Sequence, residues 1–297
     1  MKVGYVALIG RPNAGKSTLL NKILGEKVAI ISNKPQTTRT SILGIKTTEK
    51  GQIIFLDNPG IHKPLHRLNK RMMNFVFSSL QTSNVICLLI DTTLRFGHGD
   101  QFVLDSLKDI KIPIILLINK VDIIKKDKIL PLIEKYNELF SFKEIIPISA
   151  LKGINVDVLE EKIIENLPEA EKVYSDNEVS IQSQKFLLSE IIREKVLHHV
   201  REELPFVTAA FIDEIEDRPE DKDGRAVKYI QARIFVEKDN QRKIIIGRHG
   251  SLIKQIGTEA RKEIELILEA KVYLDLQVRV KDRWRDSPDV LDLIENQ

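Results

Sequence analysis

Five apolar runs recur through the first half of the chain: YVALIG at 5–10, QIIFLD at 52–57, NVICLLID at 84–91, IPIILLIN at 112–119 and EIIPISA at 144–150. They are near-continuous rather than alternating, as strands read when both faces are buried. The segments between them carry helical spacing. This alternation predicts an α/β fold, a mostly parallel sheet with helices on both faces. The rhythm stops near Pro168, and the polar, aperiodic EAEKVYSDNEVSIQSQ follows at 169–184. The pattern therefore predicts a first domain over 1–170 and a linker over 171–180.

From 181 to 297 the pattern differs. KFLLSEIIREKVLHHV at 185–200 reads as an amphipathic helix ending ahead of Pro205, and FVTAAFIDEIE (206–216) and YIQARIFVEKD (229–239) as strands around an acidic, turn-rich loop. IIIGRHGSLIKQIGTEARKEIELIL at 244–268 reads as an apolar strand, a turn and helices, with Gly257 as a helix break, and VYLDLQVRVKD (272–282) as a final strand. The expectation is a small α+β domain.

Composition narrows this picture a little. A chain of 297 residues fits two domains, and its net charge of +3 is too small by itself to imply a nucleic-acid partner. No apolar run is long enough to span a bilayer, and the N-terminus lacks a signal-peptide pattern, so a cytoplasmic location is expected. The single cysteine, Cys87, lies within NVICLLID and reads as a buried core thiol. The histidines predict no metal site. Pro64 separates His62 from His66, and the adjacent His198 and His199 diverge on a helix.

The chemistry starts after the first run. Gly10, Arg11, Pro12, Asn13, Ala14, Gly15, Lys16 and Ser17 fit G-x-x-x-x-G-K-[ST], followed by Thr18 and a helical segment. In this strand–loop–helix context, backbone N–H groups and the helix N-terminus cradle phosphates. Lys16 reaches the β- and γ-phosphates, and Ser17 ligates Mg²⁺. DNPG, which is Asp57, Asn58, Pro59 and Gly60, ends a later strand, so Asp57 can hold Mg²⁺ through water and the Gly60 N–H can meet the γ-phosphate.

NKVD, which is Asn119, Lys120, Val121 and Asp122, ends another strand. A carboxylate such as Asp122 accepts two hydrogen bonds from the N1–H and 2-amino donors of guanine, a pair that adenine lacks. Lys120 can cover the base with its aliphatic stem, and the backbone at Ser149 and Ala150 can meet guanine O6. Four short motifs in order at strand C-termini are where open α/β sheets bind ligands, so GTP and GDP are the expected ligands. The intervening SNKPQTTRTSILGI at 32–45 falls where a switch loop carries a threonine to Mg²⁺ and the γ-phosphate; Thr37 and Thr38 are candidates, Thr38 the favoured one.

Over residues 1–168 these elements resemble the Ras-like GTPases, in the bacterial branch written G-x-P-N-[VA]-G-K-S…TT…DxPG…NKxD…SA. Ras-type enzymes place a glutamine after DxxG to orient the attacking water, and here that position is Ile61. This departure predicts slow intrinsic turnover unless another group substitutes. The bacterial branch implies one: an asparagine at the position of Asn13 helps bind K⁺ near the β/γ bridge, where the cation does the work of an arginine finger. On residue chemistry alone Asn13 also reads as a turn residue. Arg39 can act in cis or face phosphate or RNA at the surface. The catalytic set is Lys16, Thr38, Gly60 and Asn13, with Ser17, Thr38 and Asp57 for the metal.

In the second domain Gly247-Arg248-His249-Gly250 precedes an amphipathic helix. This resembles a KH domain of type II, whose GxxG loop clamps single-stranded nucleic acid. Acidic residues slightly outnumber basic ones from Ser180 onward, yet Arg242, Lys243, Arg248, Lys254, Arg261 and Lys262 cluster against Glu259 alone. The expected RNA-binding set is Lys243, Gly247, Arg248, His249, Gly250, Lys254 and Arg261. Trp284, in the basic VRVKDRWR, reads equally as a base-stacking residue and as a core anchor.

A GTPase domain followed by one such KH domain resembles the bacterial Era family over nearly the whole chain. The resemblance implies binding near the 3′ end of 16S ribosomal RNA and a role in maturing the 30S subunit. It also implies peripheral association with the inner face of the cell membrane, although nothing here encodes an anchor. A monomer is expected. Two rivals stand beside it. One is a GTPase of RNA modification, which would need a catalytic cysteine near the C-terminus. The other is an RNA chaperone holding GTP as a static structural ligand.

Overall fold

A computed structural model describes residues 1–295 and divides the chain into two compact units, Met1–Leu65 with Asn69–Ile181, and a second whose body starts at Gln182. The first contains β1 (Lys2–Gly10), α1 (Lys16–Leu24), β2 (Ile42–Thr47), β3 (Gly51–Asp57), α2 (Arg67–Thr82) and β4 (Val85–Asp91). It continues with α3 (His98–Asp105), β5 (Ile114–Asn119), α4 (Ile129–Leu139), β6 (Glu144–Pro147) and α5 (Val156–Asn166). The sheet order is β2-β3-β1-β4-β5-β6. All pairs are parallel except β2 with β3. Runs such as Val6–Ile9 and Ile53–Phe55 are buried at every consecutive residue, so both sheet faces are covered and alternation is absent from the sequence. The buried Cys87 belongs to one of these strands, and burial pushes its thiol pKa up.

Strand β2 begins inside the segment that reads as a polar loop and runs two residues past it. ILGIKT mixes Gly44 and Lys46 with its apolar residues, so it carries no continuous run. The stretch 171–180, which reads as a linker, is bonded to this unit rather than loose. Ile45 N–H donates to Val179 O (2.8 Å), Ser180 Oγ to Leu43 O (2.9 Å), and Ala170 N–H to Met1 O (3.0 Å). It thereby covers the outer edge of β2, where unpaired backbone groups would otherwise be open to another strand.

The second unit contains α6 (Gln184–His199), α7 (Leu204–Val207), β7 (Ala209–Arg218), β8 (Val227–Val236), α8 (Asp239–Ile246), α9 (Ser251–Leu268), β9 (Lys271–Val280) and α10 (Pro288–Glu295). Its sheet order is β7-β8-β9, antiparallel then parallel, and α8 with α9 forms the crossover that a parallel pair needs. Ile230, Ala232, Ile234 and Val236 alternate along β8 into a core shared with Ile191 and Ile192 of α6, Ile245 of α8, and Ile256, Ala260 and Ile264 of α9.

Two sequence expectations change here, and one open alternative is decided. Ile244–Ile246 end a helix instead of a strand: Gln241 Oε1 accepts from the N–H groups of Glu237 and Lys238 and caps α8, and only Ile245 of the three isoleucines is fully buried. Gly257 does not break α9, which runs through it. A Cβ there would come within 3.3 Å of Leu276 Cδ1, so the glycine lets α9 lie close on β9. Trp284 is an anchor, fully buried, with Nε1 donating to Val207 O (2.8 Å). Among the described residues no helix is long and apolar enough to cross a membrane.

Candidate nucleotide and RNA sites

The C-terminal ends of β1, β3, β4, β5 and β6 surround a cleft of about 580 Å³. Pro12, Asn13, Gly15, Lys16, Ser17 and Thr18 form one wall, and Thr38 and Gly60 stand on the phosphate side. Asn119, Lys120, Asp122, Ser149 and Ala150 form the opposite end. The four motifs that the sequence separates by over a hundred residues thus meet in one place.

Lys16 is buried, and its ammonium donates to Gly10 O (3.4 Å) and Arg11 O (3.2 Å). Burial lowers its pKa to about 8, with the Asp57 charge opposing, while burial raises Asp57 to about 6 against the pull of Lys16 and the Ser17 hydrogen bond. Ser17 Oγ donates to Asp57 Oδ2 (2.5 Å), so the Thr38 hydroxyl donates to Ser17 Oγ (3.0 Å). Asp57 Oδ1 is buried with no hydrogen-bond partner among the described residues. Two hydroxyls and an orphaned carboxylate oxygen form a hard-oxygen donor set, which fits Mg²⁺ and leaves coordination positions for water and phosphate. Thr38, not Thr37, makes this contact; the Thr37 hydroxyl donates to Lys34 O.

Asn119 holds the two ends of the cleft together. Its Nδ2 donates to Ala14 O (2.8 Å), and its Oδ1 accepts from Ala150 N–H (2.9 Å). A side chain at Gly15 would come within 2.3 Å of that Nδ2, so only glycine fits, and its φ of 99° is one glycine tolerates. Lys120 sits in a left-handed conformation with its ammonium on Asp91 Oδ2 (2.5 Å), which leaves its stem as an apolar wall. Asp122 is exposed and has no hydrogen-bond partner among the described residues, so its carboxylate is available to a base. Ile123 and Leu151 add exposed apolar surface at the same end.

Several residues named from the motifs act from behind the cleft. Arg11 turns its guanidinium to Asp100 (2.9 Å), and Asn58 Nδ2 donates to Leu56 O (3.0 Å). Val121 N–H donates to Ile148 O (3.2 Å). Ile61 is buried with its N–H on Gly10 O (3.0 Å), so it presents no polar atom from its side chain. Arg39 is also buried here rather than at the surface. At Gly60 an added Cβ would lie 2.6 Å from Pro12 N, so the two loops touch backbone to backbone.

The sequence reading missed other participants. Asp91, at the C-terminal end of β4, was findable by the rule that these sheets bind ligands at strand C-termini. His62, which the sequence gives no metal role, ties the Gly60 loop down. Gly60 O can only accept, so Nδ1–H donates to it (2.6 Å) and Nε2 accepts from Asn69 Nδ2 (2.8 Å).

In the second unit Gly247–Gly250 joins α8 to α9, with His249 and Gly250 at φ of 51° and 76°. Arg248 and His249 are exposed beside the N-terminus of the 18-residue α9. Its unpaired N–H groups and dipole favour an anion. The basic cluster is smaller than its sequence, because Asp239 pairs with both Arg242 (2.8 Å) and Lys243 (3.2 Å). A groove beside Lys254 and Arg261 is floored by Ile253, Gly257, Leu274 and Leu276 and carries Tyr229 and Tyr273. Tyr229, Tyr273, Leu274 and Leu276 do not stand out in the sequence because they meet Lys254 and Arg261 only across three elements.

Fold and cleft together define a Ras-like P-loop GTPase joined to a KH domain. A family model described as a 50S ribosome-binding GTPase matches residues 5–120, and a KH-domain model matches residues 214–285. The chain is 41% identical to Era in a crystal structure with MgGDPNP and nucleotides 1506–1542 of 16S ribosomal RNA, covering 99% of this chain and 98% of that one with a TM-score of 0.94. An Era variant from Aquifex aeolicus bound to GDP.AlF4⁻ matches at 41% identity, 99% of both chains and a TM-score of 0.93. The chain belongs to the Era family of GTPases.

Proposed function

We propose that this GTPase is a switch that hydrolyses GTP and binds the 3′ region of 16S ribosomal RNA during 30S subunit biogenesis. Residues 1–170 carry the nucleotide chemistry, and 181–297 bind RNA. The observation that carries the reading is the convergence of Lys16, Ser17, Thr38, Gly60 and Asp122 on one cleft in a chain that also presents a GxxG turn at a helix N-terminus. Mg²⁺, held by Ser17, Thr38 and Asp57, supplies positive charge to the β- and γ-phosphates. Lys16 adds a second cation, the Gly60 N–H meets the γ-phosphate, and Asp122 selects guanine with Ser149 and Ala150 at O6.

With Ile61 buried, Asn13 is the residue through which K⁺ would support hydrolysis. It lines the cleft at φ of 65°, and its Nδ2 is engaged with Asn33 O (2.8 Å), which leaves its Oδ1 for a cation. Arg248, His249, Lys254 and Arg261 would contact RNA phosphates, Gly247 and Gly250 would let the backbone approach, and Lys243 contributes less because of Asp239. Loops carrying Thr38 and Gly60 relax after hydrolysis and lower RNA affinity. The protein acts as a cytoplasmic monomer with peripheral access to the 30S subunit and the membrane surface.

The test has two arms. Replacing KCl by NaCl should slow GTP turnover, and equal rates would remove the K⁺ role. A GTP analogue should tighten binding of a 3′-terminal 16S fragment relative to GDP, and equal affinities would remove the coupling.

A further inference from the structure

The nucleotide site and Gln52, which grips the inter-unit linker, lie at opposite ends of one two-stranded ribbon. In the β2–β3 pair, Ile42 stands opposite the metal-binding Asp57 and Thr47 opposite Gln52, about 17 Å away along the strands. Thr38 lies just ahead of β2. The linker runs along the outer edge of the same strand, with Ile45 bonded to Val179 and Leu43 to Ser180.

Gln52 fixes the far end. It is fully buried and its amide is completely satisfied: Oε1 accepts from Val173 N–H (2.9 Å) and Tyr174 N–H (3.0 Å), and Nε2 donates to Tyr174 O (2.8 Å) and Thr47 Oγ1 (2.9 Å). Covering a strand edge needs only backbone pairing. A buried amide that uses all four of its positions on β2 and the linker sets one register for both.

The switch loop is tied at its other end as well. Asn21 of α1 accepts from the N–H groups of Val28 and Ala29 (3.0 Å each) and donates to Ala29 O (2.7 Å). When Thr38 changes position, the leading end of the loop stays on α1, and the displacement is delivered to the trailing end, which is β2. The residues bonded to β2, Val179 and Ser180, come three or four positions before Ser183, whose hydroxyl caps α6 by accepting from Phe186 N–H (3.0 Å).

We propose that the β2–β3 ribbon, clasped to the linker by Gln52, is the element through which nucleotide state reaches the RNA-binding unit. This rests on the reading that RNA affinity depends on nucleotide. With Thr38 held at the metal, β2 keeps Val179 and Ser180 in register; with Thr38 released, β2 shifts against the fixed point at Gln52 and the approach to α6 shifts with it.

The experiment uses the full chain and a 3′-terminal 16S fragment, with affinities measured under a GTP analogue and under GDP. Wild type should show a ratio of about fivefold or more. Gln52→Met should bring the ratio to within about twofold of one, with RNA-free hydrolysis and GDP affinity unchanged, and Ser180→Ala should give an intermediate ratio. Hydrogen exchange over 170–181 reports whether the clasp has opened. A full ratio in either variant, with exchange showing the segment released, overturns the proposal. If Gln52→Met does not fold, Ser180→Ala decides by the same two readouts. A wild-type ratio of one overturns the coupling itself, and is seen before any substitution is made.

Discussion

Asn119 offers the sharpest test of how the cleft is held together. Asn119→Ala removes two buried hydrogen bonds, to Ala14 O at 2.8 Å and from Ala150 N–H at 2.9 Å. Each orphaned backbone group costs about 1–3 kcal/mol. The cleft admits water, so the lower part of the range applies and the pair amounts to about 2–3 kcal/mol. Nucleotide binding needs both loops in place, so GDP affinity should fall about 30- to 150-fold. Asn119→Asp is nearly isosteric and sharpens the test. It keeps an acceptor for Ala150 but sets a carboxylate oxygen against Ala14 O, so it should bind GDP no better than Asn119→Ala. Titration with a fluorescent GDP analogue, alongside urea unfolding of the free protein, measures both effects. An Asn119→Asp protein within about threefold of wild type for GDP would refute the bridge, because its donor to Ala14 is gone.

Other substitutions separate the remaining parts of the site. Asp122→Asn should shift preference from guanine to xanthine nucleotides, and unchanged GTP affinity in the same titration would overturn the base assignment. Gly60→Ala drives a Cβ to 2.6 Å from Pro12 N, so hydrolysis should fall about tenfold or more while GDP binding stays near wild type; equal single-turnover rates would show that the loops need not touch. Trp284→Phe deletes the bond to Val207 O and part of a fully buried ring. It should destabilise the second unit by about 2–4 kcal/mol in urea and leave RNA-free GTP hydrolysis intact.

The parts of this molecule that were legible in the sequence are those fixed by short-range rules. A buried parallel strand must be apolar throughout, so five of the six strands of the first unit stand out. A phosphate loop needs its residues at fixed spacing, so Gly10–Ser17 stands out as well. Strand β2 was hidden because an edge strand covered by a polar segment carries Gly44 and Lys46 with no penalty. The isoleucines at 244–246 misled because β-branched runs favour strands, whereas here Gln241 caps a helix and the segment forms part of the crossover to a parallel β9. Asp91 is legible as a strand C-terminus, but its partner Lys120 is not, and His62 acts on Gly60 only through a local loop geometry that the sequence pattern does not show. Trp284 is ambiguous in a basic segment, and only its burial against Val207 places it in the core.

The burial of Trp284 also gives the chain a built-in optical label. It is the only tryptophan in 297 residues, and it sits in the second unit, away from solvent. Its emission therefore reports on that unit alone, while the nucleotide-binding unit contributes no indole signal. Unfolding followed by tryptophan fluorescence and by far-ultraviolet circular dichroism would then give two curves from one sample. The fluorescence curve is the second unit's own transition, and the part of the dichroism change that does not coincide with it belongs to the first unit; a nucleotide that moves only that part stabilises only the unit that binds it.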